Sequence, residues 1–283
     1  LMVLTNVKLT RQMEKAFMLA EQECLKENIH CLYPMHLLIG CLDEPSFPVK
    51  EAYEKSGIDI DLIRESIIDE ARDFSLAICE PFKIPLSQGT IQVIDQAIKN
   101  MVNYNQIFLN EGHVLKAIIT TGHADGLLSE EQKQALITFS VVSRDMLLNL
   151  TDYVSPETSY KNIRKATKTD EEALRRFIDE EFSGRWNESI KKGLSADEPP
   201  IFVALDSTGN IVGFAAFNVT KGNGYFGPMG VSIRKRNEGI GESLLHQTLD
   251  KMKLLGYKEI IIGEAGPIEF YERACAAKVI PVD

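Results

Sequence analysis

The chain has no pair of cysteines at the spacing that binds zinc or runs thiol–disulfide exchange, and its five cysteines (Cys24, Cys31, Cys41, Cys79, Cys275) are odd in number. A disulfide framework is excluded as the scaffold, and buried free thiols in a reducing compartment are expected. Histidine is as scarce. The one beside a cysteine pair, His30 near Cys24 and Cys31, sits at no recognised ligand spacing, so no metal site is expected. No apolar run is long enough to cross a bilayer, and neither a signal peptide nor a lipidation motif stands out. A cytoplasmic location without membrane attachment is the expectation. An excess of positive charge is missing too. Residues 1–158 carry 13 Lys+Arg against 23 Asp+Glu and residues 159–283 carry 18 of each, so the net charge of −10 falls entirely in the first half. Such a balance argues against non-specific nucleic-acid binding.

What is present divides into two textures. The first 150 residues read as helix. Residues 10–27 open with Thr10 as an N-cap and place Met13, Ala16, Phe17, Ala20 and Cys24 at helical spacing. Further helices are expected over 34–43, 48–56, 59–73, 87–104, 111–121 and 129–149, punctuated by Gly57 and Pro85. A shift of 77 residues lays Phe17 on Ile94, Ala20 on Ala97, Ile29 on Gln106, and His36-Leu37-Leu38 on His113-Val114-Leu115. The repeats run about 9–73 and 86–150, each a long helix, a polar turn and a histidine in the first turn of a shorter apolar helix. Each histidine is read as holding its turn through a hydrogen bond.

These copies, FMLAEQECLKENI with YPMHLLIGCL and IDQAIKNMVNYNQI with NEGHVLKAII, resemble the Clp N-terminal (Clp R) domain that precedes the rings of Clp-type unfoldases. Pro34-Met35 and Glu111-Gly112 depart from the Thr-Glu that the family usually places before its His-Leu-Leu. The resemblance implies an all-α doubled helical module that docks a protein partner or peptide through residues 1–150. No GxxxxGK[ST] motif follows, so no attached ATPase engine is expected.

Residues 151–160, TDYVSPETSY, are polar and aperiodic and read as a linker. Beyond them, elements alternate. Strands are expected over 161–167, 201–206, 211–220, 225–233 and 259–264, with helices after Asp170, after the third consecutive strand and through Phe270-Tyr271. This is an α/β (α+β) pattern with a mixed sheet over 161–283.

Between strand 225–233 and the following helix stands Arg236-Asn237-Glu238-Gly239-Ile240-Gly241-Glu242. Glycines at 239 and 241 leave backbone amides bare at a helix start, where unpaired N–H groups and the positive dipole end attract an anion. Arg234, Lys235 and Arg236 add charge, so a diphosphate suits the chemistry. It is not a dinucleotide fingerprint, because Leu244 stands where GxGxxG needs a small residue. The pattern, followed by Glu269-Phe270-Tyr271-Glu272-Arg273, resembles the GNAT (GCN5-related) N-acetyltransferase family.

That resemblance implies acetyl-CoA as co-substrate, no metal, and transfer to a small-molecule or peptide amine. It places Arg236, Asn237, Glu238, Gly239, Ile240, Gly241 and Glu242 around the CoA diphosphate, and Val231 and Ile233 along the pantetheine arm. Tyr271 is the candidate acid for the leaving thiolate, since a phenol of pKa near 10 can protonate a thiolate. The base is open among Glu264, Glu269 and a water chain. Trp186 is a candidate wall of the acceptor pocket. The Gly-Phe expected after the family's second signature, to which Glu269–Arg273 corresponds, is replaced by Ala276-Ala277-Lys278-Val279-Ile280, and the chain stops short of the family's final strand. Either a shortened chain or a second subunit completing the edge in a homodimer would account for that. Two alternatives to a working enzyme stay open: a non-catalytic CoA-binding sensor, and a Clp-system adaptor.

Overall fold

A computed structural model describes residues 4–27, 29–68 and 78–282. The chain forms two compact units, one of Leu1–Val142 with Pro281–Asp283 and one of Ser143–Ile280. No helix among the described residues is long and apolar enough to cross a membrane.

The first unit holds β1 (Lys8–Leu9), α1 (Arg11–Lys26), α2 (Pro34–Leu42), α3 (Phe47–Ser56), α4 (Ile60–Glu65), α5 (Gln88–Asn103), β2 (Phe108–Leu109), α6 (Glu111–Thr120) and α7 (Glu130–Ser140). Helices α1 and α5 begin and end 77 residues apart, as the repeat demands. The relation extends to their entry strands. Thr10 N–H bonds Leu109 O (3.0 Å), and Ser87 N–H bonds Leu32 O (3.0 Å), so each copy's first strand pairs with the other's second. Thr10 and Ser87 each cap their helix, accepting from Met13 N and Thr90 N, a bond worth about 1 kcal/mol. The periodic residues Met13, Ala16, Phe17, Ala20 and Cys24 are all buried. Helices α1 and α2 meet at small residues: a side chain on Gly40 would run into the Ala16 carbonyl and lie 2.9 Å from Ala20 N. The histidines do what local geometry asks. Nδ1 of His36 accepts the N–H of Tyr33 (2.9 Å) and Nδ1 of His113 that of Asn110 (3.1 Å), each closing the first turn of its helix. Of the helix expected over 59–73, residues 60–65 are helical, and 69–73 lie outside the described residues.

The second unit holds β3 (Arg144–Asn149), β4 (Ile163–Lys165), α8 (Glu171–Phe182), α9 (Asn187–Leu194), β5 (Ile201–Leu205), β6 (Ile211–Phe217), β7 (Tyr225–Val231), α10 (Ile240–Leu254), β8 (Glu259–Ala265), α11 (Ile268–Cys275) and β9 (Lys278–Val279). The sheet order is β4-β5-β6-β7-β8-β3-β9, antiparallel except for β7 beside β8.

Three expectations are corrected here. The helix expected over 129–149 ends at Ser140, and 144–149 form a strand with alternating exposure: Met146 and Leu148 are buried while Leu147 faces outward. That strand lies between β8 and β9, so the edge expected to need a second subunit or a longer chain is filled from upstream in the same chain. The division therefore falls at Val142/Ser143 rather than across 151–160. The expected linker is a strap within the second unit, laid antiparallel along α10. Lys253 Nζ donates to Tyr153 O (2.6 Å), Ser155 Oγ to Asp250 (2.7 Å), and Tyr160 N–H to Ser243 Oγ (3.2 Å), while the Tyr153 hydroxyl bonds His246 Nδ1.

Candidate active site

The site is set by a parting of the sheet. Strand β7 pairs with β8 only through Tyr225–Ile261 and Phe226–Ile262. Next come Gly227, at φ +114°, and Pro228, which has no N–H. On its other edge β7 stays paired with β6, where Ser232 N–H donates to Val212 O (2.9 Å). Antiparallel bonding alternates, so Gly230 also faces β6, and the backbone groups of Met229 and Val231 face the gap left by β8. A chain with amides of its own can lie there as an added strand.

Val231 turns its backbone to this gap, but Ile233 does not. Ile233 belongs to a short 3₁₀ turn, Ile233–Lys235, and its N–H is held by Glu181 Oε2 (3.0 Å). Met229, two residues before Val231, takes the position given to Ile233. The period-two alternation of a strand was the available signal. Glu181, at the end of α8, was also missed. Its other oxygen accepts from Ser232 Oγ (2.7 Å), pinning the turn between β7 and α10. No local motif marks it, because it comes from a helix 50 residues upstream.

Arg236 folds inward. Its Nε donates to Val231 O (3.2 Å), and burial lowers its pKa, opposed by the Glu181 carboxylate. It clamps the turn instead of presenting open charge. Asn237 and Gly239 take left-handed backbone at φ +69° and +78°, and Gly239 is the N-cap of α10. Gly239 has no side chain to satisfy the helix's first amides. The starts of α3, α8, α9 and α11 likewise lack a side-chain cap, whereas α1, α5, α6 and α7 start on Thr10, Ser87, Asn110 and Ser129 with side-chain caps. Ile240, Gly241 and Glu242 form the open first turn. Glu238 pairs with Lys235 (3.5 Å), and Glu242 lies 3.8 Å from the buried His246. At Gly239 a side chain would collide with the Ser159 hydroxyl of the strap, whereas at Gly241 a Cβ would make ordinary contact with Val231 (3.5 Å) and Phe270 (3.9 Å).

Tyr271, on α11, is buried with its ring edge-on to Phe226 and Phe270, at centroid distances of 6.2 and 5.0 Å. Burial pushes its phenol well above the ordinary tyrosine range, so it stays protonated. Glu264, next to last in β8, has left-handed φ (+49°) and an exposed carboxylate 3.6 Å from Lys221. Trp186 packs on Phe182 (4.9 Å) and Phe214 (5.9 Å). Phe182 in turn covers Gly230, where a Cβ would come within 2.5 Å of its ring. Trp186 is therefore built into the aromatic layer behind β7. Among the described residues no group of three or more His, Cys, Asp or Glu is arranged to hold a metal.

Parted parallel strands therefore stand beside a helix whose first turn has no side-chain cap. Comparison with known proteins names the domains. Residues 8–131 match the Clp repeat (R) N-terminal domain, and residues 163–276 match the Acetyltransferase (GNAT) family. The chain carries a Clp repeat domain followed by a GNAT acetyltransferase domain. No curated protein matches it. Similar solved structures include a GCN5-related glucosamine N-acetyltransferase region of a fungal multi-domain GH3 β-N-acetylglucosaminidase, at 17% identity and TM-score 0.42, covering 54% of this chain and 22% of that one. Another is a GCN5-related N-acetyltransferase from Sphaerobacter thermophilus, at 23% identity and TM-score 0.41, covering 54% of each chain. The N-terminal domain of the chaperone ClpD from Arabidopsis thaliana is 24% identical at TM-score 0.39, covering 49% of this chain and 97% of that one. The chain thus spans about a fifth and about half of the two acetyltransferase chains.

Proposed function

We propose that this protein transfers an acetyl group from acetyl-CoA to a primary amine in the cytoplasm, and that its helical unit docks a protein or peptide partner. The observation that carries the reading is the first turn of α10, left without a side-chain cap by Gly239 next to the parted β7 and β8. In this scheme the amides around Gly239–Glu242 hold the CoA diphosphate, and the backbone of Met229 and Val231 bonds the pantetheine amides. A backbone N–H of β7 in the gap stabilises the oxyanion. The amine nitrogen attacks the acetyl carbonyl carbon, the C–S bond breaks, and Tyr271 gives its proton to the departing thiolate. Glu264, directly or through water, takes the proton lost by the ammonium.

Isothermal titration with CoA, followed by thiol-release assays over a panel of amines, tests this. Micromolar coenzyme binding and amine-dependent thiol release are expected. No uptake at millimolar CoA would refute the reading. Uptake without turnover on any amine would leave the sensor, for which the deeply buried Tyr271 is the favouring observation.

A further inference from the structure

Glu264 sits in a bulge. Opposite β3, Arg144 pairs with Ala265 but Met146 with Ile262, so Gly263 and Glu264 supply one residue more than the partner strand. The bulge puts a non-glycine residue at φ +49°, a conformation that survives only where its surroundings hold it. The residue facing the bulge is Asp145. Its Oδ1 accepts the Glu264 N–H (2.7 Å), and its Oδ2 lies 3.4 Å from Lys221 Nζ, the same ammonium that pairs with the Glu264 carboxylate. One side chain therefore fixes both the backbone and the counter-ion of Glu264. Strand β3 precedes the residues that match the acetyltransferase family, so this support comes from outside the matched domain.

We propose that Asp145 is a positioning residue for acetyl transfer, holding the Glu264 bulge and sharing Lys221 so that the Glu264 carboxylate meets the acceptor amine. The inference rests on the proposed function and on Glu264 as base. It names a residue that neither the second signature nor the family match contains.

The test compares Asp145→Ala, Asp145→Asn and Glu264→Ala in the full chain. Three readouts are used: thiol release with the best amine, CoA titration, and hydrogen exchange of the peptide spanning 261–267. Asp145→Ala removes the acceptor of the Glu264 amide, so exchange there should speed up and kcat should fall about tenfold with CoA affinity unchanged, the size of effect expected from a small misplacement. Asp145→Asn keeps an acceptor and should hold kcat within about threefold of the parent. Unchanged exchange in Asp145→Ala overturns the proposal whatever the turnover. So does a kcat loss in Glu264→Ala that Asp145→Ala does not share. Full activity in Glu264→Ala instead rejects Glu264 as base, a failure of the functional reading that the exchange data tell apart.

Discussion

Burial keeps the Tyr271 phenol protonated before the thiolate appears, while the same shift makes it a weaker acid, so the hydroxyl's role is decided by removing it. Tyr271→Phe keeps the ring contacts to Phe226 and Phe270 and removes only the hydroxyl. It should lower kcat about a hundredfold, the range of a general acid, with CoA affinity unchanged in a titration. Gly239 answers to a different constraint. Its φ of +78° disfavours any L side chain, and a methyl group would also strike Ser159. Gly239→Ala should weaken acetyl-CoA binding about tenfold, equivalent to about 1.4 kcal/mol, and leave saturated turnover nearly intact. Both residues were legible in the primary structure, because a glycine at a helix start and a Phe-Tyr pair are local patterns. Met229 and Glu181 were not, since their roles depend on which edge of β7 loses its neighbour and on a helix far away in the chain.

Elements carry their own predictions. His113 closes α6 as a neutral acceptor, and desolvation, helped by Lys116, lowers its pKa from 6.5 to about 4. The unfolded chain therefore binds a proton that the folded one refuses between those values. Stability falls as pH drops through that window, by on the order of 2–3 kcal/mol at its lower end. Gln132 accepts the Ser129 N–H (2.9 Å) in the same kind of turn, so His113→Gln should keep the bond. Its melting temperature should then vary less between pH 6.5 and pH 4 than the parent's. Strand β3 lies in a stretch whose sequence predicts helix. Its Met-Leu-Leu core resembles a continuation of α7, and only pairing on both edges, to β8 and β9, makes its alternation visible. A fragment beginning at residue 143 should unfold cooperatively by circular dichroism, whereas one beginning at 161, with β8 and β9 unbridged, should not.

The whole molecule is two units with separate cores, one around Phe17, Leu38 and Leu115 and others around the mixed sheet. Calorimetry should resolve two transitions. Saturating CoA, at about a hundred times its Kd, adds about 2.7 kcal/mol to the unit that binds it. The transition of the Ser143–Ile280 unit should rise by several degrees, and that of the helical unit should stay in place. Movement of both transitions together would mean that the coenzyme is read by the entire chain.

Local patterns alone determined the doubled helical unit, the run of hairpin strands, the helix opened by Gly239 and the Phe-Tyr pair. Each is written in residues a few positions apart, where periodicity and backbone preference act directly. Tertiary structure decided which strand completes the sheet, where one unit gives way to the next, and what the polar stretch 151–160 is for. Those outcomes depend on hydrogen-bonding groups brought together from 83 to 133 residues apart, and an edge has no signature in the residues that will cover it.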